Sequence, residues 1–506
     1  MKKIICLLLS LVMMFSIVGC NKDGGSSSKS NLPKGEVSYP IETDETLTVW
    51  MPIPSQVAGQ VSNFGETPFA KNLEAATGID IEWIHPAQGQ DNALNLLLAS
   101  KELPDIIFAD WLTQGPSSYI EKKLILSLNQ YMDENPDIKK LVTTDEGDFY
   151  SFPFVRGDKL LTSPSGIMLR ADWLEEAGLD VPETIDDWDK VLAAFKEKCE
   201  APLAVKYLGV FASGFNAMNC VYVNDDGKVT YGPYEKEMKD MFIKLNEWYN
   251  KGYVDKNFSM LDSKKINSNM LSSISGVSYG AGGGMLGAYL DAKAGEEFDL
   301  VATKYPVKNK GDRATYSMNE SFFSKKGAAI TSTCKNPELA ARFLDFGYSE
   351  EGMLFYNFGK EGESYDMIDG YPTYKPELLA TDDGRSVAEK LTMNCLGSNE
   401  GPFIQDKRYI EQYYGREQQQ DALVKWSDND FNKYRLPELT LTMEESMEYN
   451  SIMADVNTYA SEMFAKFVIG TEPIENFDVY VEKLKSLKVE RAMKLQQDAY
   501  ERFLNR

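Results

Sequence analysis

Between residues 47 and 109 the chain alternates short β-rich runs with amphipathic helical ones, and this rhythm restricts the fold more than any other feature. Residues 47–51 (LTVWM) have the aromatic and β-branched content of a strand. Residues 69–78 read as a helix closed by a glycine, and 79–84 (IDIEWI) alternate with the period of a strand. Residues 91–103 are amphipathic with Asp91 as the expected N-cap, and Pro104-Asp105 leads into a short buried strand at 106–109. Strand, helix, strand, helix, strand predicts an α/β lobe with a largely parallel sheet. In open sheets of this kind ligands bind beyond the carboxyl ends of the strands. Trp50, the loop carrying Gln88 and Gln90, and Asp110-Trp111 all fall there.

A second block starts near Ser165. Residues 166–170 read as a strand and 172–178 as a glycine-capped helix, followed by a longer helix over 184–198. Thr184 is its expected N-cap and Asp187 stands three residues on, the spacing of a capping box. Asn224-Asp-Asp-Gly227 between two β-rich runs predicts a hairpin, and the last hundred residues are mainly helical, notably 443–469 and 479–505. With no internal repeat and no second linker, two lobes joined by crossings of the chain fit better than separate beads. The expected division gives 46–158 with 312–375 to the first lobe and 159–311 with 376–506 to the second.

The N-terminus predicts export. Met1-Lys2-Lys3 precedes an almost unbroken apolar run over 4–18, right for a secretory leader and too short for a comfortable membrane span. It ends on Ile17-Val18-Gly19-Cys20, which resembles the lipobox of bacterial lipoprotein signal peptides. The resemblance implies removal of residues 1–19 and acylation of Cys20, so that acyl methylenes at about 0.8 kcal/mol each hold the body on a membrane. Residues 20–45 are rich in Gly, Ser and Lys and read as a flexible tether with a reach of roughly 25–30 Å. The mature chain keeps 51 basic against 77 acidic residues, a formal charge of −26. Such a surface repels phosphate backbones, so nucleic acid is not an expected partner. Cys199, Cys220, Cys334 and Cys395 form no C-x-x-C pair; a Cys199–Cys220 bridge and free buried thiols both remain open.

Several local signatures coincide: the lipobox, NLEAATGIDIEWI at 72–84, LPDIIFADW at 103–111, LRADWLEEAGLDVPETIDDWDKVLAAFKEK at 169–198 and FGKEGESYDMIDGYPTY at 358–374. Together they resemble the family 1 extracellular solute-binding proteins, the lipoprotein branch of sugar ABC importers. The resemblance implies a two-lobed, hinged protein of the type II periplasmic-binding-protein fold, with a ligand cleft between the lobes. It implies a monomer that captures an oligosaccharide or other small solute by closure, delivers it to membrane permease subunits, and needs no cofactor. The alternatives are a surface glycan-binding lipoprotein without a transporter and a lipid-anchored carbohydrate-active enzyme.

Sugars are held by aromatic faces against C–H surfaces and by planar polar groups on hydroxyls, so aromatics beside Asp, Arg, Asn or Gln are the residues to seek. Asp110-Trp111 is the leading pair, with Trp111 either stacking on sugar or packing between sheet and helix. Trp50, Gln88, Gln90 and Tyr150 are further candidates, and Arg170 is either a ligand contact or a buried ion pair with Asp172. Tyr279 stands before the glycine-rich run Gly280–Gly284, read as backbone that must pass close to ligand or hinge. Gly282, Gly284 and Gly287 spell G-x-G-x-x-G without a βαβ unit around them, which argues against a dinucleotide. The single histidine, His85, excludes histidine-rich metal sites, and any Ser/His/Asp triad would have to use it. Asn224–Gly227 lacks the rest of a calcium loop. If the lipobox acts as expected, Cys20→Ser releases the protein from cells into the medium; equal retention of variant and parent in the membrane fraction would refute the anchor.

Overall fold

The computed structural model describes residues 37–87, 90, 92–112, 115–131, 142–381 and 383–506. The leader, Cys20, most of the tether, Gln88 and Asp91 lie outside the described residues. In chain order the strands are β1 (Thr46–Trp50), β2 (Asp80–Ile84), β3 (Ile106–Asp110), β4 (Phe152–Arg156), β5 (Ser165–Arg170), β6 (Leu203–Ala204) and β7 (Val221–Val223). They continue with β8 (Val229–Tyr231), β9 (Val277–Ala281), β10 (Leu300–Ala302), β11 (Phe323–Ile330), β12 (Tyr365–Ile368), β13 (Tyr371–Tyr374) and β14 (Ile404–Gln405). A six-stranded sheet of order β14-β4-β11-β3-β1-β2 builds the first lobe, and a four-stranded sheet of order β10-β5-β9-β6 builds the second.

The expected parallel trio is present: β2, β1 and β3 pair in parallel, joined by the helix Pro68–Thr77 and the helix Ala93–Ser100. The sheet as a whole is mixed, because β11 enters antiparallel between β3 and β4. The helix caps follow the sequence. Gly78 closes the first helix at φ 73°, and Thr184 and Asp187 exchange capping hydrogen bonds of 3.2 Å. Asn224–Gly227 turns the β7–β8 hairpin, with Asn224 Oδ1 accepting from the amides of Asp226 and Lys228. The helix Met443–Ile469 runs its expected length. The last helical stretch is instead two helices, Phe477–Ser486 and Val489–Leu504, because Lys488 adopts a left-handed φ of 68°.

Two cores lie under the two sheets. Leu47, Phe69, Ile106, Phe152 and Phe343 belong to the first, and Leu169, Trp188, Phe211, Trp248 and Val277 to the second. Among the described residues three chain segments join the lobes: β4 to β5, β10 to β11, and β14 to the helix Glu417–Ser427. A smaller cluster with Leu161, Tyr409 and Tyr414 fills the junction. The boundaries differ from those expected. Val37, Tyr39 and Ile41, assigned to the tether, pack on the first core. Ala314 and Tyr316 pack in the second core, whereas Phe403 and β14 complete the first lobe. The apolar pattern alone does not reveal which sheet a short strand will join.

Cys199, Cys220, Cys334 and Cys395 are free thiols. Among the described residues no helix is long and apolar enough to cross a membrane, and no cluster of His, Cys, Asp or Glu has metal-site geometry. Helix and sheet of the second lobe meet at Gly166, where an added Cβ would stand 2.2 Å from the ring of fully buried Trp426. Gly166→Ala is therefore expected to destabilise the second lobe by about 1–3 kcal/mol, read as a lower denaturant midpoint; an unchanged midpoint would show that the ring has room to move.

Candidate functional site

A cleft of about 530 Å³ opens at the junction. Phe154 and Arg156 come from β4, and Phe323, Ser324 and Lys325 from β11. Glu320 and Ser321 lie on the second crossing, Tyr409 on the third, and Glu400 and Gln405 on the approach to and end of β14. Arg435 and Glu438 close the cleft from the segment that leads into Met443–Ile469. Arg435 belongs to the second lobe, since it bridges to Tyr222 of β7.

Most of the charges in the cleft are arranged as pairs. Arg156 is buried, lies 5.1 Å from the Phe154 ring centroid and donates to the Ser321 carbonyl at 2.8 Å. It pairs with Glu320 and, at 3.4 Å, with Glu400. Glu400 also accepts from Lys326 at 2.8 Å and from the Ser324 hydroxyl at 2.7 Å. Burial works against its ionised form, but these donors hold its carboxyl below the ordinary range. Glu438 stands 4.0 Å from Lys325. Here burial prevails over the attraction of Lys325 and Arg435, and the carboxyl pKa is raised. Burial likewise lowers the pKa of Arg435. Gln405 donates to the Gly397 carbonyl at 2.7 Å, while its buried Oε1 has no partner among the described residues. Phe323 is half-buried and gives the cleft an aromatic surface.

The residues singled out from sequence occupy different positions. Trp111 is fully buried, its indole N–H donating to the Gly327 carbonyl at 2.9 Å and its ring standing edge-on to Tyr119. It packs between sheet and helix and offers a ligand no face. Trp50 and Tyr150 are buried in the same cluster. Arg170 is buried as well, its guanidinium taken up by Asp172, Ser273 and the Glu297 carbonyl between Trp173 and Phe298. Asp110 caps the Leu112 amide at 2.9 Å and faces Lys326 across the ladder, close enough for its charge to raise the pKa of Glu438. Gln90 is exposed on the loop after β2. Tyr279 is half-buried with its hydroxyl 3.5 Å from that of Tyr305, and burial first, then Tyr305, with Glu320 a lesser contributor, raises its pKa.

The glycine run meets protein. A Cβ at Gly280 would strike Met285, one at Gly282 would approach the Tyr414 ring to 2.4 Å, and one at Gly283 the Tyr413 hydroxyl to 2.5 Å. Both tyrosines lie on the third crossing, so the run lets the second lobe pass close to the junction. Residues 276–280 also spell G-x-S-x-G, yet Ser278 lies fully buried inside β9, paired with Met168 and Ala204, and not on a strand-to-helix turn. His85 is in the other lobe, with Nδ1 bonded to the Met51 carbonyl and Nε2 accepting from the Phe64 amide.

Sequence reasoning therefore missed Arg156, Glu320, Phe323, Glu400, Gln405, Arg435 and Glu438. The one signal available was the charged and aromatic run NESFF at 319–323, just ahead of a β-rich segment. Because the raised pKa of Glu438 penalises its ionised form, Glu438→Gln is expected to melt higher than the parent at neutral pH. The gap should close as pH falls through the carboxylate range, where the parent takes up its proton. Melting temperatures that coincide at neutral pH would contradict this.

Comparisons place this geometry in a known setting. A family model described as bacterial extracellular solute-binding protein matches residues 62–354. The fructooligosaccharide ABC transporter substrate-binding protein FusA of Streptococcus pneumoniae is 24% identical, covering 96% of both chains. Lipoprotein LipO of Bacillus subtilis is 25% identical over 73% of this chain and 74% of its own. Among solved structures, the alginate-binding protein AlgQ2 without calcium ion gives a TM-score of 0.72 at 24% identity, covering 91% of this chain and 99% of that one. The chain belongs to the bacterial extracellular solute-binding proteins.

Proposed function

We propose that the protein is the lipid-anchored receptor of an ABC-type importer, which captures an oligosaccharide between its lobes and delivers it to a membrane permease. The observation that carries this reading is the junction cleft. Its guanidinium, carboxylate and amide groups offer fixed donors and acceptors for hydroxyls, and Phe323 offers a surface for sugar C–H groups. The arrangement suits binding, with most charged groups held by ion pairs and Arg435 by a backbone carbonyl and an aromatic ring, so that little ordering remains when a ligand arrives. FusA is named for binding fructooligosaccharides within an ABC transporter, and LipO is named a lipoprotein. Transport of a sugar and anchoring through Cys20 are carried to this chain on that likeness.

Because the cleft is lined from both lobes, a ligand seated there touches both, and its binding energy favours their closed relation. Titration of the full chain with defined oligosaccharides by calorimetry, with small-angle scattering on the same samples, tests the reading. One glycan class should bind with a dissociation constant in the micromolar range or below and compact the protein, and Phe323→Ala should weaken binding about tenfold or more. No saturable binding across the panel would sink the sugar reading, and turnover of a bound glycan would point to an enzyme.

A further inference from the structure

The ion pairs of the cleft leave one cation over. Glu320 is held by Arg156, Glu400 by Lys326 and Arg156, and Glu438 by Lys325. Arg435 forms no ion pair among the described residues. Its guanidinium lies 4.9 Å from the Phe431 ring centroid and donates from one terminal nitrogen to the Asn319 carbonyl, while its buried Nε has no hydrogen-bond partner. The carboxylates of Glu438 and Glu320 act on it through space, neither of them at ion-pair distance. Arg435 is half-buried, and a guanidinium partly withdrawn from water with no carboxylate at ion-pair distance is stabilised when an anion is brought to it. The side chain nevertheless lines the cleft and is positioned by a backbone carbonyl and an aromatic face, neither of which neutralises it.

We infer that the ligand of this cleft is an acidic oligosaccharide, and that Arg435 takes one of its uronate carboxylates. The inference rests on the reading of the cleft as the sugar site. A planar carboxylate matches the guanidinium fork, and such charge-assisted bonds are roughly twice as strong as neutral ones. The formal charge of −26 does not arise in the cleft, whose lining balances Arg156, Lys325 and Arg435 against Glu320, Glu400 and Glu438, and each of these carboxylates already has a cation within ion-pair reach.

The test compares short oligogalacturonates and oligoalginates with their fully methyl-esterified forms on the unaltered full chain, and adds neutral fructooligosaccharides. Esterification removes the charge and leaves the ring hydroxyls, so this arm needs no variant that must fold. The expected result is binding of one acidic series at least tenfold tighter than its ester, with the preference lost in Arg435→Gln and largely kept in Arg435→Lys at unchanged melting temperature. Equal affinity for acid and ester, or tight binding of a neutral glycan alone, overturns the inference and leaves the oligosaccharide receptor standing. Silence towards every glycan overturns both.

Discussion

The antiparallel entry of β11 between β3 and β4 is the constraint from which the rest of the molecule follows. The first sheet cannot close until the chain has left it, built most of the second lobe over residues 157–322 and returned. The join is tight: Gly327 sits where an added Cβ would come within 2.5 Å of Ser151, and its carbonyl receives the Trp111 indole. Pairing so remote in sequence carries a loop-closure cost that only the completed ladder offsets, which couples the folding of the two lobes. It also delivers Glu320 and Phe323, the residues just before and at the start of β11, to the junction. The cleft is thus a consequence of how the sheet is completed.

The same constraint explains what the sequence revealed and what it hid. Local rules act over a few residues, so the Thr184–Asp187 capping box, the Gly78 cap, the Asn224 turn and the long helix ending at Ile469 were all legible. The parallel β1–β3 trio was legible because its crossover helices are contiguous with it. The cleft was not, since Arg156, Glu320, Glu400 and Arg435 come from four separated segments that meet only through the crossings. Aromatic residues at strand ends misled for a physical reason. Trp111 has a partner for its N–H in a strand more than two hundred residues away, and with that donor satisfied the indole is more stable buried than exposed. Arg170 likewise finds its acid two residues on and one aromatic face three residues on at Trp173, while the other, Phe298, comes from a segment that its own loop cannot announce.

The distribution of charge bears directly on how capture and closure can be linked. Arg156 is paired with Glu320 of the second crossing and with Glu400 beside β14, so the first-lobe wall of the cleft carries its own counter-charges before any ligand arrives. Arg435 is attached to the second lobe through the β7 hairpin and has no such carboxylate. In the proposed reading, a ligand that satisfies Arg435 while resting on Phe323 and Arg156 supplies the missing counter-charge and spans the lobes in one step. A ligand free energy gained only when both walls are in contact shifts the population toward closure by that amount. A cleft whose every charge was already paired would gain hydroxyl contacts on binding but would lack this electrostatic preference for the closed arrangement. In that reading the unpaired guanidinium ties ligand chemistry to lobe movement.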